Sequence, residues 1–244
     1  MKTAVLIFGM LREFDSMIPS WKLDEYLSCD YYISTWKKSR QKYNFLEKDV
    51  PENVKQFEVT EDLIKSVLPN CVCDIKNEEE IFVDNTDLDS NDPAALSIRQ
   101  AKMFYHWKNL YRMLEESGKT YDLIILLRPD TSLRVQNLDS TTTNILENWT
   151  LEQDVLYCDS LMFVRGMSNG RLQYLSSDIL FCGSFNMMQK FFNIIPDISI
   201  EENKYKSWIP HVSLGELFTS NNIYPSEIHP FKVFGVHKAS KKTG

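Results

Sequence analysis

The stretch Tyr121-Asp122-Leu123-Ile124-Ile125-Leu126-Leu127-Arg128-Pro129-Asp130 decides how this chain is read. Five apolar residues run unbroken between two polar ends. A run of this length, rich in Ile and Leu, predicts a strand buried on both faces, as in the parallel sheet of an α/β domain. Pro129 has no N–H to offer a neighbouring strand, so it ends the run. Arg128 and Asp130 are then expected at the carboxyl end of a central strand, where open α/β sheets bind their ligands.

Immediately upstream, residues 93–118 predict a long helix. Leu96, Met103, Trp107, Leu110 and Leu114 fall on one face. Asp92-Pro93 suits its first turn and Gly118 its stop. Helix followed at once by strand is the order of a parallel sheet. Further out, residues 3–9 and 30–36 read as strands, with a helix over 16–27 that holds Pro19 near its start. Residues 37–49 read as charged and irregular, 54–59 as a third strand, and 60–68 as a helix capped by Thr60. The acidic run 77–93 reads as a surface excursion. Residues 133–149 show no decisive period. A short strand is expected at 154–158, a loop over the sheet end at 162–175 and a strand at 178–183. A helix is expected from Ser184 to about 195 and a helical region at 204–222.

Composition narrows the function classes. The chain has 244 residues, of which 43% are hydrophobic, with no Gly/Ser/Pro-rich linker, so residues 1–244 are expected to form one domain. A net charge of −7 argues against nucleic acid as the main partner. The apolar run at residues 3–10 is too short for a membrane span and reads as a strand, so no integral membrane segment is expected. The five cysteines lack zinc-knuckle spacing and read as free thiols of a reducing compartment, which places the protein in the cytoplasm.

Three residue sets fall at expected strand ends: Gly9 with Arg12, Arg128 with Asp130, and Ser177 with Asp178. In a doubly wound sheet these ends meet in one crevice. A guanidinium fork pairs with phosphate oxygens. An aspartate holds a divalent cation together with substrate phosphates. A second aspartate serves as a general base on a hydroxyl. The set fits a nucleoside-diphosphate donor.

Four blocks also carry a resemblance. They are Ile7-Phe8-Gly9-Met10-Leu11-Arg12-Glu13-Phe14, Asp30-Tyr31-Tyr32-Ile33-Ser34-Thr35-Trp36, the stretch 121–130, and Ser177-Asp178-Ile179-Leu180-Phe181-Cys182-Gly183-Ser184. In this order, over about residues 3–190, they resemble WavE-type lipopolysaccharide-synthesis proteins and their phage and large-virus relatives. The resemblance implies a single GT-A-like, Rossmann-like domain that moves a sugar from a nucleotide-sugar donor to a glycan, lipid-linked glycan or other hydroxyl acceptor. Gly9 and Arg12 match its nucleotide-contacting loop, and Asp178 its acidic acceptor-side position. Where that fold carries an Asp-x-Asp metal motif, this chain has Arg128-Pro129-Asp130. The donor diphosphate is then expected to be neutralised by Arg128, by Mn²⁺ or Mg²⁺, or by both, with Asp130 holding the metal or the ribose. Such enzymes often give a late histidine to the metal, which points to His229 or His237. His106 reads as structural. His211 and Glu216 are candidate acceptor contacts, and Arg99 and Gln100 could reach the crevice from the long helix. Two alternatives stay open: a nucleotidyltransferase making an activated sugar, and a decayed module that binds nucleotide or glycan without turnover.

Overall fold

A computed structural model describes residues 1–40, 54–82, 93–135, 149–165, 172–196 and 210–235. In chain order it contains β1 (Lys2–Phe8), α1 (Phe14–Trp21), β2 (Ser28–Trp36), β3 (Lys38–Arg40), β4 (Gln56–Glu58) and α2 (Glu61–Lys65). Next come β5 (Val72–Lys76), α3 (Glu78–Ile81), α4 (Pro93–Glu116), β6 (Leu123–Leu127), β7 (Thr131–Val135), β8 (Tyr157–Cys158) and β9 (Leu161–Arg165). The chain continues through β10 (Leu172–Ser176), β11 (Leu180–Gly183), α5 (Phe185–Ile194), α6 (Pro210–Ser220) and β12 (Phe231–Gly235).

Six strands form the central sheet in the order β5-β2-β1-β6-β11-β8. The first four are mutually parallel, and β11 runs against both of its neighbours. The chain winds outward from β1 through β2 to β5, then returns through α4 to place β6 on the other side of β1. The winding therefore reverses between β1 and β6, and an open sheet leaves a crevice at the carboxyl ends of such a pair.

All five residues of β6 are buried. Because side chains alternate across a strand, Ile124 and Leu126 enter one apolar layer, while Leu123, Ile125 and Leu127 enter the other. Strand β1 divides in the same way, with Ala4, Leu6 and Phe8 opposite Val5 and Ile7. Helices α4, α5 and α6 cover the first layer through Trp107, Phe191 and Phe218. Helix α1 and the β7–β12 pair cover the second through Phe14, Ile18, Leu133 and Phe231. The indole Nε1 of Trp21 ties α1 to β7 by donating to the Thr131 carbonyl at 2.6 Å.

Several expected elements shift. The expected third strand lies in a separate pair, where β4 meets β3. The sheet's own edge strand is β5, whose mixed Val-Cys-Asp-Ile-Lys sequence gives little apolar signal. The expected loop at 162–175 contains a paired hairpin, β9 with β10. Helix α1 stops at Lys22, which adopts a left-handed φ of 52°, and Pro19 sits in its second half. The acidic run begins with α3, capped by Asn77, while 83–92 lie outside the described residues. The same holds for the undecided stretch 136–148 and the basic tail from Lys238 onward. All five cysteines are free thiols. Among the described residues no helix is long and apolar enough to cross a membrane.

Ser184 starts α5 as expected. Its hydroxyl accepts the Met187 N–H at 3.2 Å and donates to the Gln153 carbonyl at 2.6 Å, and it is 2% exposed. Losing this buried cap in Ser184→Ala is expected to lower stability by about 1–2 kcal/mol. The urea midpoint should fall while the denaturant slope stays unchanged.

Candidate functional site

At the end of β1 the chain turns on Gly9, whose φ of +93° lies in the region that side-chain-bearing residues rarely adopt. A Cβ there would touch nothing within 4 Å, so the backbone, not space, demands the glycine. The Gly9 N–H donates to the Ser34 carbonyl at 3.1 Å, which pins the turn to the next strand. The turn then carries Met10 and Arg12 over the sheet end, and Arg12 Nη2 sits 3.2 Å from the Met10 sulfur.

At the end of β6, Arg128 and Asp130 face each other in a forked pair. Arg128 Nε donates to Asp130 Oδ1 at 3.1 Å and Nη2 to Oδ2 at 3.0 Å. Arg128 Nη1 lies 3.6 Å from Asp178 Oδ1. The Arg128 side chain is one-third exposed, whereas that of Asp130 is 4% exposed. Burial works against the charge on Arg128, yet Asp130 and Asp178 outweigh it and hold its pKa above the usual arginine value.

Asp178 reaches this place through the reversal of β11. It precedes that strand, so in a parallel strand it would lie at the opposite edge of the sheet. Because β11 is antiparallel to β6, its start lies beside the end of β6, and the Arg128 N–H donates to the Ile179 carbonyl at 3.1 Å. Asp159, at the end of β8, joins from the other side and accepts the Leu180 N–H at 3.1 Å. Burial raises its pKa against the help of Ser177 and the Leu180 amide. The sequence reading placed a strand end at Cys158, where β8 does end, but did not single out Asp159, which follows it.

Gly9, Arg12, Arg128, Asp130 and Asp178 all line one cavity of about 360 Å³ at the β1–β6 reversal. The volume falls in the usual range for small-molecule sites. Gln100, expected at the crevice, lines it as well; the Arg99 side chain lies outside the described residues. Trp36, Met103 and His106 complete the wall toward β2 and were not expected there. On α4 the i, i+3 spacing of Gln100, Met103 and His106 marks one stripe. Lys102 and Glu78 at the rim neutralise each other in an ion pair.

His229 does not serve as a free metal ligand. Its Nδ1 accepts the Phe231 N–H at 3.2 Å, which leaves the proton on Nε2, and Nε2 donates to the Cys158 carbonyl at 2.8 Å. Burial lowers its pKa, so it is a neutral structural histidine. His237 and the side chains of His211 and Glu216 lie outside the described residues. Both oxygens of Asp130 accept from Arg128, which leaves one lone pair on each for a further partner. Among the described residues no three His, Cys, Asp or Glu side chains converge as a cation cage.

No family model matches this chain, and no curated protein does. Distant likenesses occur among solved structures. The apo-form of the glycosyltransferase GlyE from Streptococcus pneumoniae TIGR4 is 12% identical, with a TM-score of 0.38 over 91% of this chain and 44% of that one. This chain thus spans less than half of GlyE. A nucleoside-diphosphate-sugar pyrophosphorylase from Vibrio cholerae RC9 is 7% identical, with a TM-score of 0.40 over 94% of this chain and 93% of that one. At these scores neither likeness bears on function, which has to be argued from the crevice.

Proposed function

We propose that this chain is a glycosyltransferase of GT-A-like architecture, moving a sugar from a nucleotide-activated donor to the hydroxyl of a glycan or lipid-linked glycan. The observation that supports it is the convergence of Gly9, Arg12, Arg128, Asp130 and Asp178 on one crevice at the β1–β6 reversal. The Gly9 turn brings backbone close to a diphosphate, and Arg12 and Arg128 meet its charge. Asp130 aims the Arg128 fork. Asp178 takes the proton of the acceptor hydroxyl as its oxygen bonds to the anomeric carbon. The bond from that carbon to the phosphate oxygen breaks, and its electron pair leaves on the nucleoside diphosphate. Arginine charge placed where the leaving group gathers its own is the stabilisation such a step needs. Mn²⁺ or Mg²⁺ held by Asp130 would supply further positive charge at the leaving diphosphate, and one arm of the test reads its effect.

One observation favours a second reading, a module that binds without turnover: Arg128 and Asp130 largely neutralise each other. Incubation with a panel of nucleotide sugars and glycan acceptors, with and without Mn²⁺, separates the two. Release of nucleoside diphosphate coupled to glycan growth supports the transferase. Nucleotide-sugar binding with no released diphosphate in either arm supports the module and overturns the transferase. Release of pyrophosphate from a nucleoside triphosphate and a sugar phosphate would instead identify a nucleotidyltransferase.

A further inference from the structure

The crevice has two unlike halves. Its β6 side carries Arg128, Asp130 and Asp178, while its β2 side is walled by Trp36, Met10, Met103 and His106. We propose that the β2 side is a base-binding subsite in which His106 donates its Nε2–H to an acceptor atom on the nucleobase of the donor. This rests on the nucleotide-sugar reading above.

The tautomer of His106 is set from a distance. The Asp74 carboxylate accepts Asn109 Nδ2 at 2.9 Å, and Arg112 donates to Asn109 Oδ1 at 2.7 Å, which together fix the orientation of the amide. The amide then also donates to Ser34 Oγ at 2.9 Å. Ser34 is fully buried, and its oxygen lies 2.8 Å from His106 Nδ1. Asn109 turns only its amide nitrogen toward Ser34, so the hydroxyl proton goes to Nδ1. His106 therefore carries its own proton on Nε2.

That Nε2–H has no hydrogen-bond partner, although the ring is only 1% exposed. A buried donor without an acceptor is costly and calls for an explanation. His106 is among the residues that line the crevice, so a ligand seated against this wall supplies the acceptor once the side chains that cover Nε2 give way. Burial drives the His106 pKa down to about 3, against the pull of Asp74, which is paired with Arg112 in the network behind it. The donor is thus neutral. A neutral N–H suits a ring carbonyl or ring nitrogen, whereas a phosphate is better served by the arginines. The Trp36 ring, 4.1 Å from the imidazole and stacked on Tyr105 at 5.5 Å, holds the wall rigid. The two methionines offer apolar contact to a flat heterocycle.

The test compares UDP, GDP, CDP and ADP with inorganic pyrophosphate by calorimetric titration of wild type, His106→Gln and His106→Phe. His106→Phe is expected to weaken the preferred nucleotide roughly 3- to 10-fold, the worth of one neutral hydrogen bond. Its base preference should flatten while pyrophosphate affinity holds. His106→Gln, which keeps an N–H at similar reach, should recover part of the preference. Unchanged base preference in His106→Phe overturns the subsite and leaves the transferase reading intact. No nucleotide binding to wild type overturns both. A second measurement needs no variant: long-range ¹H–¹⁵N spectra of the wild-type histidines. The Nε2–H tautomer of His106, with a shift on adding the preferred nucleotide, supports the subsite. An Nδ1–H tautomer overturns it.

Discussion

Arg128→Ala is expected to lower the stability of the protein by about 3 kcal/mol and to weaken nucleoside-diphosphate binding roughly 10- to 100-fold. The two losses have different origins. Asp130 is 4% exposed, so removing the guanidinium takes the paired cation away from a carboxylate that water barely reaches. Stranding one member of a buried pair costs more than the pair itself contributes. The Arg128 side chain is one-third exposed, and this partial screening sets the expectation at the low end of the range for such pairs. The binding loss comes from the cation that faces the crevice. The double variant Arg128→Ala/Asp130→Ala separates the effects. It should regain most of the stability, because no charge is stranded, and none of the affinity. Urea midpoints and diphosphate titrations of the three proteins check this. Equal stability in the single and double variants would show that the pair is not coupled as the geometry implies.

Asp178→Asn carries the largest expected effect on turnover. The change keeps the shape of the side chain and removes its capacity to take a proton. Transfer should fall roughly 10²- to 10⁴-fold, the usual contribution of a positioned general base. Donor affinity should stay within about threefold, since Asp178 meets Arg128 only at 3.6 Å and a loose charge contact is worth little. The same contact predicts little change in the urea midpoint. Measuring the rate with acceptor present and the donor dissociation constant without it separates the roles. A parallel fall in donor affinity would move Asp178 from the acceptor side to the donor side of the crevice.

Much of this arrangement is legible in the sequence where burial is total. The run 123–127 reads as a doubly buried strand by its length and its bounding turn residues, and its Arg-Pro-Asp exit marks the sheet end. Ser184 announces α5 by its capping chemistry. The direction of β11 is not legible in the same way. Leu180 to Gly183 would read alike in either direction, because direction is set by which neighbour's N–H and C=O groups they meet. That reversal is nevertheless what carries Asp178 into the crevice. Strand β5 hides because an edge strand tolerates Asp74 and Lys76, and Asp74 in fact anchors the network behind His106. His106 itself reads as an ordinary helix residue. Only its contact with Ser34, 72 positions earlier, ties it to the polar network behind the crevice. His229 shows the converse case, since its suggestive position near the end of the chain gives no hint that two backbone groups occupy its ring.

The central claim is that the crevice between β1 and β6 binds a nucleotide-activated sugar through its arginines. Thermal unfolding of wild type, Arg12→Ala and Arg128→Lys, with a panel of nucleoside diphosphates and nucleotide sugars, tests it most directly. A ligand at 100 times its dissociation constant adds about 2.7 kcal/mol to the native state. For a chain of this size, that raises Tm by roughly 5–10 °C. The account predicts such a rise for one nucleotide class in wild type, and a much smaller one in both variants. Lysine keeps the charge of Arg128 but not the fork. A rise of equal size in all three proteins, or no rise with any nucleotide, would contradict it.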